Sequence, residues 1–189
     1  MMKKGLIIGG ITLGIIVIAI MMFTSSYNSL ISAEEEVDGK FADISVQLER
    51  RADLIPNLVS TVKGYAAHEQ AIIDSVTSAR DSLLNAKNAE EMAEADEKLT
   101  TALNNLLVIV ENYPELKADT NFVQLQDELA GTENRIAVSR QDYNDAVKTY
   151  NKLIKSFPKN ILAGMFGFEE KEYFVAKESS NEVPEVSFE

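Results

Sequence analysis

Apolar residues recur along most of this chain at alternating spacings of three and four, but near its start they run together without interruption. From Gly5 to Phe23 there is no charge and no proline, and Thr12 carries the only hydroxyl. At about 1.5 Å rise per residue this run reaches roughly 28 Å as a helix, close to the hydrocarbon thickness of a bilayer. It exceeds the ~7–15 residues of a secretory signal core, and its exit lacks a small-x-small cleavage site. The exit reads Met21-Met22-Phe23-Thr24-Ser25-Ser26. The pattern predicts an uncleaved single-span anchor over residues 5–23, behind a short stretch at 1–4.

Beyond the anchor the pattern is helical throughout. Leu30, Glu34, Val37, Phe41, Ile44, Leu48 and Arg51 form one stripe. It continues through Ile55, Leu58, Val62, Tyr65, Glu69, Ile72, Val76, Ala79 and Leu83. Such spacing marks one face of an α-helix, and no segment alternates with the period of a strand. Pro56 falls inside the stripe and Asp53 stands three residues before it, where it would serve as an N-cap. A break or tight turn near Arg51–Asp53 is therefore expected, against the unbroken phase of the stripe, which argues for one kinked helix. Asn85–Asn88 reads as a turn. A third helix follows over Glu90–Asn112, with Met92, Leu99, Leu103, Leu106 and Val110 inward, and Tyr113-Pro114 stops it. A fourth runs from about Asn121 to Ser156 on Leu125, Leu129, Thr132, Ile136, Ser139, Tyr143, Val147, Tyr150 and Ile154.

Four amphipathic helices on short connections bury their stripes only against one another. The expected fold is all-α: an N-terminal transmembrane helix followed by an antiparallel up-and-down four-helix bundle over residues 25–157. A short apolar segment, 158–175, would pack on the bundle base. An acidic, disordered tail would occupy 176–189.

Composition narrows the function classes. The net charge is -12, from 30 acidic and 18 basic side chains, and the basic residues are scattered. Nucleic-acid binding needs clustered cations, so no nucleic-acid partner is expected. Lys3 and Lys4 precede the apolar run, while Glu34, Glu35, Glu36 and Asp38 follow it. The positive-inside rule then sets the N-terminus in the cytoplasm and the bundle outside, on a bacterial inner membrane. The absence of cysteine is neutral on compartment.

Few residues carry candidate chemistry. His68 is the only histidine, and Ile72 stands where an HExxH motif would need its second ligand. A carboxylate di-metal bundle needs two histidines, and no serine sits in a nucleophile elbow. No catalytic, cofactor or metal residue is assigned. Glu34 and Arg51 put charges on the apolar stripe, where each needs a partner. With Arg50 and Asp53 they read as a structural ion-pair network or as a recognition site for a partner. Tyr143-Asn144 and Tyr150-Asn151 lie seven residues apart on one face. The tyrosines read as core residues with hydroxyls at its edge, or as a partner-binding ladder.

Several runs resemble the bacterial LemA family: Tyr27-Asn28-Ser29-Leu30, Arg50 through Val59 (RRADLIPNLV), Val62-Lys63-Gly64-Tyr65 with His68-Glu69, Ala79-Arg80, Tyr143-Asn144, Tyr150-Asn151 and Phe157-Pro158. The resemblance covers nearly the whole chain. It implies a short N-terminal anchor, a four-helix bundle and no enzyme activity, since the family has no established biochemical function. A magnetosome membrane protein among the relatives implies membrane organisation or scaffolding. The expectation is a non-enzymatic, anchored interaction module for unidentified envelope proteins, with self-association left open. The alternatives are an accessory subunit or regulator of a membrane protease or stress system, and an enzyme or ligand carrier with an internal cavity.

Overall fold

The computed structural model describes residues 2–175, with side chains from residue 9 onward. Among the described residues every regular element is a helix: α1 (Met2–Tyr65), α2 (Gln70–Asn85), α3 (Ala89–Val110), α4 (Pro114–Lys117), α5 (Thr120–Lys155) and α6 (Lys159–Phe166). The tail expected over 176–189 and the side chains of Lys3 and Lys4 lie outside what is described.

The break expected near Arg51–Asp53 does not occur. Helix α1 continues through Pro56 to Tyr65, and the turn falls at Ala66–Glu69. Asp53 is an exposed residue in mid-helix and caps nothing. The buried face keeps its phase from Leu30 through Val37, Ile44, Leu48, Ile55 and Leu58 to Val62. Pro56 lacks the N–H that would bond the Ala52 carbonyl four residues back. Arg80 Nε, on α2, donates to that carbonyl instead, at 3.0 Å. Ala52 is fully buried, so its acceptor would otherwise be stranded away from water. The helix survives its proline because another helix supplies the missing donor.

The other boundaries have local causes. Asn88 caps α3: its side chain accepts from Glu91 N–H at 2.8 Å, while Glu91 accepts from Lys87 N–H at 2.8 Å. This is a capping-box arrangement shifted by one residue. Asp119 opens α5 by accepting from the N–H groups of Asn121 and Phe122 at 2.9 and 3.0 Å. Its pKa is lowered, chiefly by the Phe122 N–H and then by the Tyr65 hydroxyl, which donates at 2.9 Å. Tyr65 is raised by the same hydrogen bond and by the Asp119 charge.

The helices build two compact units, and α1 and α5 each supply a stretch to both. One unit takes in the chain through Gly39 together with Asp145–Lys171. Its core includes Leu30, Val37, Val147, Tyr150, Ile154 and Leu162. The Phe166 ring of α6 lies 4.9 Å from Tyr27 and 6.1 Å from Phe23, so the apolar segment after Pro158 packs on α1. The large apolar side chains from Ile11 to Phe23 are 43–64% exposed, and α1 is the one described helix long and apolar enough to cross a membrane.

The second unit comprises Lys40–Asn144 and, among the described residues, the chain from Glu172 to Val175. Its core draws on Ile44, Ile55 and Leu58 of α1, Ile73 and Val76 of α2, Leu99 and Leu106 of α3, and Phe122 and Ile136 of α5. Each such side chain contributes about 1.5–3 kcal/mol when fully buried.

Candidate functional site

Arg51 sits on the inward face of α1 and is 4% exposed. Its Nη1 donates to Asp96 Oδ1 at 2.5 Å and lies 2.6 Å from Glu133 Oε2. Asp96, on α3, is 1% exposed, and its other oxygen accepts from Arg140 Nη2 of α5. Two guanidinium groups and two carboxylates thus neutralise one another among three helices. A buried carboxylate with one cation would pay a large desolvation cost, and the second arginine offsets it. The Nε atoms of Arg51 and Arg140 are buried and have no hydrogen-bond acceptor among the described residues, and Glu133 Oε2 meets Arg51 without hydrogen-bond alignment. A groove of about 470 Å³ opens beside this network, walled by Leu58, Leu103, Leu107 and Leu129, with Arg51 and Glu133 in its lining.

The sequence placed Arg51 on the inward face, and that is where it lies, although in mid-helix and not at a helix junction. Asp96, Glu133 and Arg140 went unrecognised. Asp96 could have been found, since the α3 stripe from Met92 to Leu99 must cross the Ala95-Asp96 step. The remaining candidates do not converge here. Arg50 makes an exposed pair with Glu128 at 3.2 Å. Glu34 belongs to the other unit, where it meets Lys171 Nζ at 3.2 Å. Burial pulls the Lys171 pKa down, but Glu34 and Asp38 outweigh it and hold the ammonium above its ordinary value.

The Tyr-Asn pairs have a second partner that the sequence did not reveal, the extended chain after α6. In one unit Tyr143, 5% exposed, donates its hydroxyl to the Glu172 carbonyl at 2.9 Å and packs 5.9 Å from the Phe41 ring. Asn144 bonds both backbone groups of Phe174, donating to its carbonyl at 3.1 Å and accepting from its N–H at 2.9 Å. In the other unit Asn151 does the same for Lys171, at 2.9 Å in each direction. Tyr150 is fully buried, and its hydroxyl has no hydrogen-bond partner among the described residues. Burial, and then the negative charge of Glu34, pushes that hydroxyl's pKa up.

Neither cluster presents a nucleophile beside a base. Among the described residues no group of three or more histidine or carboxylate side chains converges as a metal cage would require. What the geometry can do is hold helices in register and bind extended backbone.

Comparison with known proteins gives one family and a small set of relatives. The model of the LemA family matches residues 40–188. The chain is 29% identical over 177 residues to magnetosome protein MamQ 2 of Paramagnetospirillum magneticum, across 80% of this chain and 65% of that protein. It is 27% identical over 195 residues to magnetosome protein MamQ of Magnetospirillum gryphiswaldense, across 87% and 72%. To protein LemA of Metamycoplasma hominis it is 22% identical over 143 residues, across 75% and 65%. The chain thus spans just under two thirds of the first of these relatives.

Proposed function

The chain belongs to the LemA family, and from that premise we propose that it is a membrane-anchored helical bundle without enzymatic activity. It serves as a protein-interaction or scaffolding module at the bacterial cell envelope. The observation that carries this reading is the exposed apolar stretch from Ile11 to Phe23, which continues without a break into the charge-paired part of α1. A soluble protein rarely exposes so large a contiguous apolar surface. Residues 5–23 are the anchor on this reading, and α1, α2, α3 and α5 close into an up-and-down four-helix bundle. Polar bonds from α1 to α2, α3 and α5 support that arrangement: Arg80 to Ala52, Arg51 to Asp96 and Arg50 to Glu128. Resemblance to proteins named for the magnetosome favours an organising role over a catalytic one.

Alkaline carbonate extraction tests the anchor. The full chain is expected to stay with the membrane pellet, and a chain starting at Thr24 to be released as a helical protein. Release of the full chain would remove the basis for an envelope role. Proximity labelling in intact cells tests the module. An anchored interaction module labels a reproducible set of envelope proteins, and labelling no different from that of an unrelated single-span protein counts against it.

A further inference from the structure

Within the unit formed by Lys40–Asn144 and the chain from Glu172, one face of α5 already holds a ligand, a piece of the same chain. Asn144 satisfies both backbone groups of Phe174, and Tyr143 caps the Glu172 carbonyl. The Phe174 ring is 4% exposed, and the Arg140 guanidinium stands over it at 4.9 Å from the centroid. The side chains of Glu172, Tyr173 and Val175 are exposed. This face therefore reads extended backbone and one aromatic ring, and leaves the neighbouring side chains unread. An asparagine amide that pairs with both N–H and C=O of one residue recognises peptide backbone irrespective of its sequence. Specificity falls to the aromatic anchor, seated against a cation.

We propose that Arg140, Tyr143 and Asn144 form a binding site for an extended peptide with an aromatic anchor. The chain's own Glu172–Phe174 fills it in the isolated protein, and the same segment of a second copy fills it when copies assemble. Complementarity with that occupant is already on display, because what fits within one chain fits between two. Exchange of an identical segment is a low-cost route to self-association. The intramolecular segment competes at an effective concentration set by its short tether, so exchange requires a high local concentration of copies. Confinement to a membrane surface supplies it, and to that extent the second-copy step rests on the anchored reading above.

The experiment uses the full chain in detergent micelles and a labelled, end-blocked peptide of residues 169–175 as probe. Phe174→Ala in the protein weakens the internal competitor, and this variant is expected to bind the peptide at least about tenfold more tightly than wild type. Adding Asn144→Ala is expected to abolish that gain. A Phe174→Ala protein that keeps its helicity yet takes up no peptide overturns the site, as does binding indifferent to Asn144. Should Phe174→Ala lose helicity, Phe174→Leu keeps the apolar anchor without the ring and is expected to show a smaller gain; no gain again overturns the site. In the second arm, differently tagged full chains are co-expressed and co-purified. Asn144→Ala is expected to reduce their co-purification, and an unchanged yield overturns the second-copy occupant. Carbonate extraction reads the anchor separately, so its failure is distinct from failure of either arm.

Discussion

Two adjacent arginines show how little residue type alone says about energy. Arg50 and Arg51 both pair with carboxylates, but the Arg50–Glu128 side chains are 57% and 53% exposed while those of Arg51 and Asp96 are 5% and 1%. An exposed pair is worth about 0–1 kcal/mol, whereas breaking a buried one strands a charge and costs ~3–5 kcal/mol. Arg51→Ala is therefore expected to lower the urea midpoint sharply and Arg50→Ala to leave it almost in place. Equal, small shifts would sink the buried-network account. The position of Arg51 was legible because an amphipathic stripe marks every residue on its face, charged ones included. The inward position of Asp96 could be read from the α3 stripe in the same way. Its pairing with Arg51, like that of Glu133, could not, because the three residues come from different helices and meet only after packing. What Asn144 and Asn151 bind was hidden for a related reason: their partners are backbone groups of an irregular segment, which leave no side-chain signature.

Helix limits were read well at α3 and α5, whereas the turn at Ala66–Glu69, closed by backbone bonds between near neighbours, was read as part of a continuing stripe. Asn88 and Asp119 are short-range caps, and the sequence set the ends of α3 and α5 within a residue or two. The error at Pro56 has a non-local cause, since the donor that rescues the Ala52 carbonyl sits 28 residues away on Arg80. Arg80→Ala should leave that buried acceptor unsatisfied, at a cost of ~1–3 kcal/mol. Pro56→Ala restores the backbone donor, so Arg80→Ala made in that background should cost clearly less. Equal costs in the two backgrounds, by chemical denaturation, would show that Arg80 acts elsewhere. The α5 cap makes a pH prediction. Asp119 has a lowered pKa in the folded chain, so its contribution is complete above the ordinary carboxylate range and is lost as pH falls through the lowered value. Asp119→Ala should flatten the stability profile on that acid limb while leaving its shape above pH 6 unchanged. An acid limb as steep as wild type would refute the role of the cap.

For the molecule as a whole, the legible part was the solvent each stretch requires. A continuous apolar run and a set of amphipathic stripes predict one stretch suited to lipid and the rest to water. The large apolar side chains of Ile11–Phe23 are exposed on a helix long and apolar enough to cross a membrane. Orientation is a finer matter, because it rests on the charge flanking the run. Lys3 and Lys4 precede it, and the cluster Glu34–Asp38 follows without a compensating lysine before Lys40. The positive-inside rule counts basic residues near the span and gives acidic ones little weight, so the two lysines carry the bias. Protease added to intact spheroplasts is expected to digest the part of the chain beyond Thr24, and protection of that part would reverse the assignment. Replacing both lysines by glutamine, with two lysines substituted at Ser25 and Ser26, should invert the bias and render a measurable fraction of chains protected. Unchanged digestion of that variant would mean that something other than flanking charge orients the chain.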